Sequence, residues 1–164
     1  MNRPTRRQFL FLSASVVGAL LPTAQPAFAQ APPRAQMLAA VNGLRSRYHV
    51  GPLAYDAFLQ DAAERQARLM AERDTLSHDL GPGLDLRARM DAVGYHGVVG
   101  ENVAAGYPTL AAVLDGWMAS AGHRRNLLRP AFTEFGLAYA SIPKTSGRQF
   151  SIYWAMEFGG HQIP

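Results

Sequence analysis

The fold class this sequence predicts is α+β, in one domain, and three observations predict it. Apolar residues recur at helical spacing along most of the chain after residue 35. Two stretches near the C-terminus, 135–141 and 150–158, instead alternate like strands around a Pro-Lys-Thr-Ser-Gly turn at 143–147. Connections are short, which favours antiparallel pairing, and helices precede strands rather than alternating with them.

The first 29 residues stand apart from this domain. Arg3, Arg6 and Arg7 form a positive start, residues 9–21 are almost wholly apolar, and Ala27-Phe28-Ala29 has the small-x-small pattern of a cleavage site. Thirteen helical residues rise only about 20 Å against a bilayer core of roughly 30 Å, so a signal peptide is expected and no transmembrane anchor after its cleavage. Thr5-Arg6-Arg7-Gln8-Phe9-Leu10 resembles a twin-arginine signal, which exports already folded proteins to the periplasm or beyond. Residues 30–35 read as a linker and 36–164 as a single domain.

Cleavage changes the charge. The formal net charge of +4 includes three arginines of the signal segment, leaving 13 basic against 12 acidic residues, or +1. The overall charge therefore makes no electrostatic case for nucleic acid or an anionic membrane surface. Cysteine is absent. The domain therefore depends on packing for its stability and has neither a thiol nucleophile nor thiolate ligands.

Met37, Val41, Leu44 and Tyr48 predict a helix over 35–48, broken by Gly51-Pro52. Asp56 is the expected N-cap of a second helix, with Leu59, Ala62, Ala63, Gln66, Leu69 and Met70 as its inner stripe and an end near Arg73 or Asp74. Gly81-Pro-Gly83 is a turn, without the lysine of a phosphate loop. A short helix over 84–93 should stop at Gly94. Residues 100–106, polar at their start and flanked by glycines, read as a break. Pro108-Thr109 opens another helix with Leu110, Val113, Leu114 and Trp117 inward, leading into Trp117-Met-Ala-Ser-Ala-Gly-His-Arg-Arg-Asn-Leu-Leu128. In the last strand, Trp154, Met156 and Phe158 should share one face and Tyr153, Ala155 and Glu157 the other.

Three residues stand out chemically: His78, Glu101 and His123. Two neutral imidazoles and a carboxylate make an acceptable first shell for zinc or another divalent ion with one open position. The same groups also suit general acid-base work. The structural alternative is that each histidine merely hydrogen-bonds a helix end or a loop carbonyl. Ser120 and His123 would be i,i+3 neighbours on a continuous helix, but nothing marks a third triad member or an oxyanion hole. Arg124 and Arg125 fit an anionic ligand or, more simply, a solvated helix end. Glu134 and Glu157 are spare carboxylates, and Tyr153, Trp154 and Phe158 are expected in the core.

Ser77-His78, Gly94-Tyr95, Gly100-Glu101-Asn102-Val103-Ala104, the Trp117–Leu128 stretch, Phe135-Gly136-Leu137 and Tyr153-Trp154-Ala-Met-Glu-Phe158-Gly159 together resemble the CAP superfamily (cysteine-rich secretory proteins, antigen 5 and pathogenesis-related proteins) in its bacterial secreted form. The resemblance runs from about Met37 to Gly159. It implies an α-β-α sandwich, with a central antiparallel sheet between helical layers and an open cleft lined by two histidines and two acids. His78, Glu101 and His123 match three of the four. Ser120 stands where many eukaryotic members carry the second acid, Met156 stands where glutamine is usual, and the eukaryotic disulfides are missing. The implied cleft comprises His78, Glu101, Asn102, Ser120, His123 and Arg124, with His78, His123 and Glu101 as ligands of any divalent metal, zinc foremost. The expected partners are a small molecule, a lipid or an envelope component, taken up by a monomer. A metal-dependent peptidase or esterase is the alternative.

Overall fold

In the computed structural model, residues 32–143 and 147–160 are described. The expected signal peptide lies outside them, as do residues 30 and 31 of the expected linker, whose Arg34 and Ala35 instead begin the first helix. The elements run α1 (Arg34–Arg47), β1 (Ala54–Tyr55), α2 (Ala57–Arg73), α3 (Leu86–Val93), β2 (Val98–Ala105), α4 (Leu110–Ala119), α5 (Ala121–Leu127), β3 (Glu134–Ser141) and β4 (Ile152–Gly160).

Local chemistry sets the helix ends. The Asp56 side chain accepts from the Leu59 amide and starts α2, Asp85 does the same for α3 through Ala88, and Thr109 starts α4 through Ala112. Gly94 ends α3 at φ 78°, in the left-handed region that glycine enters without penalty.

The four strands form one sheet in the order β1-β3-β4-β2. β3 and β4 pair antiparallel, as do β4 and β2. Two features differ from the sequence expectation. β2 occupies the stretch read as a break, because its polar residues Glu101 and Asn102 are buried against specific partners. The two-residue β1 adds a short parallel pairing to β3, so the sheet is not purely antiparallel.

Helices cover both faces, giving the expected α-β-α sandwich. Trp154, Met156 and Phe158 of β4 pack with Met37, Val41 and Leu44 of α1, with the α4 stripe of Leu110, Val113, Leu114 and Trp117, and with Leu127 of α5. On the other face Tyr153 and Ala155 meet Ala63, Ala67 and Met70 of α2, and α3 adds Met90 beside Leu59 and Ala62. Both faces of β4 are covered, so its alternation separates two cores rather than core from solvent.

The alanine stripe lets α2 lie close to the sheet. A Cβ on Gly136 of β3 would stand 2.2 Å from the Gln60 amide nitrogen and 2.3 Å from the Leu59 carbonyl carbon. Backbone cannot yield to a methyl group there. The contact is fixed by the Gln60 Oε1, which accepts from the Leu137 amide at 2.9 Å. Gly136→Ala should therefore destabilise the domain by about 2 kcal/mol, the scale of overpacking in a tight core, as a lower urea midpoint with unchanged slope.

Candidate functional site

β2 forms one edge of the sheet, and the expected site residues gather along it. Alternation sends Glu101 and Val103 toward the α2 and α3 layer and Asn102 and Ala104 toward the opposite one. The site thus draws on both helical layers.

On the α3 side, His78 Nδ1 lies 2.6 Å from Glu101 Oε1. More than half of the His78 side chain is exposed, whereas Glu101 is almost fully buried. The loop carrying His78 is tied twice. Gln66 of α2 donates to the Ser77 carbonyl at 2.7 Å, and Arg89 Nη1 of α3 donates to the His78 carbonyl at 3.0 Å. The same guanidinium pairs closely with Glu101 Oε2.

Directly opposite Glu101 in the ladder stands Glu157 of β4. It is fully buried, and Arg89 Nη2 is 3.5 Å from its Oε1. Among the described residues neither Glu157 oxygen has a hydrogen-bond partner. Burial pushes its pKa well above the usual carboxylate range, and the charge of Glu101 pushes further, while Arg89 opposes both. The guanidinium sits closer to Glu101, so Glu101 carries the negative charge and Glu157 keeps its proton. The carboxylate read as spare is thus a second acid beside the first.

On the other side α5 carries His123. The helical stretch does not run through: Ser120, at φ −92° and ψ 123°, breaks it and starts α5 afresh. Ser120 and His123 therefore do not share a continuous helix, and the premise of a Ser-His dyad fails. Asn102 is completely buried, and its Nδ2 donates to the His123 carbonyl at 3.0 Å. Asn126 Nδ2 donates in turn to Asn102 Oδ1 and to the Glu101 carbonyl, each at 3.0 Å. Asn102 is thus committed to holding α5 on β2. Arg124 is exposed, and Ser120 and His123 are half-buried. The other expected spare acid, Glu134, accepts from the Tyr95 hydroxyl at 2.7 Å.

The two imidazoles are tuned in opposite directions. The hydrogen bond to Glu101 raises the His78 pKa above 6.5 against the effect of burial. Burial lowers that of His123, and the charge of nearby His78 lowers it further. His78 therefore holds its proton to higher pH than His123 does.

As arranged, these residues do not fit a divalent ion. Glu101 is already engaged by Arg89 and His78, which sets positive charge where a cation would lie. Among the described residues no group of three His, Cys, Asp or Glu side chains stands ready to hold a metal.

This fold and edge site define a class of protein. The family model of the cysteine-rich secretory protein family, CAP, matches residues 38–158, and the chain belongs to that family although it contains no cysteine. It is 30% identical over 112 residues to the uncharacterized protein YkwD of Bacillus subtilis, covering 66% of this chain and 43% of YkwD. An extracellular protein containing an SCP domain from Bacillus anthracis superposes with a TM-score of 0.66 at 28% identity, over 77% of this chain and 39% of that one. An outer surface protein of Borrelia burgdorferi superposes with a TM-score of 0.64 at 22% identity, over 77% and 90%. The chain thus spans less than half the length of the two Bacillus proteins.

Arg89, Glu157, Gln66 and Asn126 went unnoticed as site residues because no local spacing ties them to Glu101 or the histidines. Only the cross-strand register of β2 and β4 brings Glu157 to Glu101.

Two predictions follow from the opposed charges. Imidazole NMR titration should show His78 titrating above 6.5 and His123 below it, and Glu101→Gln should bring His78 down toward the ordinary value. Glu157 binds its proton more tightly folded than unfolded. Its contribution to stability is then full below the ordinary carboxylate pKa of about 4.5 and is lost as pH rises through the raised value. Glu157→Gln should match the wild type in acid and exceed its melting temperature at alkaline pH.

Proposed function

We propose that this protein is an exported binding module whose cleft along β2 takes a polar group of a small molecule, lipid or envelope component. The observation that carries the reading is the occupation of Glu101: its carboxylate is spent on Arg89 and His78 rather than left open as a general base. Ser120, in the place of the second family acid, adds no carboxylate there, and Glu157 is buried and protonated. What remains is the exposed His78 imidazole, the stronger base of the two, and the half-buried His123 imidazole, the weaker, both able to hydrogen-bond a ligand. Export is supported by the signal-like first 29 residues and by relatives described as extracellular and outer surface proteins. No helix among the described residues is long and apolar enough to cross a membrane.

A metal-dependent hydrolase would need zinc on His78, His123 and Glu101, with Glu101 released from Arg89. The purified protein should therefore show no turnover of peptides or esters, and zinc should leave its melting temperature unchanged. Hydrolysis abolished by His123→Ala, together with stoichiometric zinc, would replace the binding reading with the hydrolase.

A further inference from the structure

An open depression lies on α5 and the chain just beyond it, and among the described residues neither His78 nor His123 lines it. It has a volume of about 740 Å³, and its lining includes Arg124, Arg125 and Arg129 with Ala121, Leu128 and Pro130 between them. Among the described residues no acidic side chain lines it. Among the described residues none of the three arginines makes a salt bridge, although the chain after residue 29 has nearly as many acidic as basic residues.

The wall is built rather than incidental. Beneath it Arg45 of α1 is 1% exposed and has only carbonyl partners among the described residues. Its Nη1 donates to the Leu127 carbonyl at 2.8 Å, its Nη2 to that of Phe132 at 3.2 Å, and both nitrogens reach the Arg129 carbonyl. The C-terminal end of α5 would otherwise present carbonyl oxygens and a negative potential. Arg45 consumes the Leu127 oxygen there and sets a fourth, buried cation behind the cavity. The Arg129 guanidinium lies 4.9 Å over the Phe132 ring, which restrains it at the rim.

From this arrangement we infer an anion site for a phosphate group attached to an apolar body. Guanidinium forks match the oxygens of phosphate bidentately, and three of them around one concavity can divide those oxygens between them. Leu128, Pro130 and Ala121 supply apolar surface for the rest of the ligand. An exposed arginine cluster is ordinarily a solvated face. This one is concave, lacks carboxylate partners among the described residues and is backed by a buried cation.

The depression adjoins the histidine edge through Arg124 and Asn126, but its ligand is read with different probes, so the two readings fail separately. The test uses the purified protein and a variant carrying Arg124→Gln, Arg125→Gln and Arg129→Gln, whose side chains reach the surface. Calorimetry with glycerol 3-phosphate probes a free phosphate ester. Sedimentation with phosphatidylcholine vesicles, with and without phosphatidylglycerol, probes a lipid headgroup. Binding in either arm, weakened about tenfold or more in the variant and by added salt, is expected. Binding to the ester identifies a soluble ligand, and binding only to the anionic vesicles identifies a lipid. No binding in either arm, or binding that the variant retains, would overturn the inference. The variant's far-ultraviolet circular dichroism and cooperative thermal melt should match those of the wild type, which reports that its fold is intact.

Discussion

The pairing register of β2 with β4 sets two carboxylates opposite one another on a buried face and leaves one guanidinium to serve both. Facing side chains in an antiparallel ladder lie within about 5.5 Å of each other, so Glu101 and Glu157 cannot both be charged without a large repulsive cost. Arg89 resolves the conflict unequally. Its close pairing with Glu101 favours the ion there, and the proton stays on Glu157. That asymmetry leaves Glu101 able to accept from His78, and the charge on His78 then helps to keep His123 neutral. The electrostatic state of the exposed edge thus follows from one register and one arginine.

Much of the fold was legible because it rests on local chemistry. The Asp56 cap, the Gly94 stop and the inward stripe of α4 each act within a few residues, and all stand where periodicity and capping place them. β2 was not legible, for a physical reason. A strand with Glu and Asn at its centre looks like a loop unless their partners are known, and Arg89, Asn126 and the His123 carbonyl come from other elements. The interruption near Ser120 was legible only as a helix end before the glycine that precedes His123. The chain turns there so that α4 can cover the sheet while α5 lies against β2.

The site was legible in its chemistry and only partly in its geometry. His78, Glu101 and His123 were singled out by residue type and by family resemblance, and the structure brings all three to one edge. Their assembly into a metal shell was an inference from donor identity alone, and donor identity carries no information about competing partners. Arg89 is such a partner. On α3 it reads as one more surface arginine in Leu-Arg-Ala-Arg-Met, and only its burial shows that it sets the charge of the site.

α5 makes the general point. A helix of seven residues, Ala121–Leu127, has too few internal hydrogen bonds to hold itself in water. It stands because it is tethered at two places. Asn102 and Asn126 bind its inner side to β2, and Arg45 grips the carbonyl oxygens where it ends. Both tethers use buried polar groups that would be costly to leave unpaired, so the helix cannot shift without exposing or orphaning them. The first tether fixes the backbone of His123 at the β2 edge. The second fixes the chain that carries Arg129, and it brings a positive charge with it. One short helix is thereby made to present two different surfaces, and the residues that impose this lie within the fold rather than on either surface.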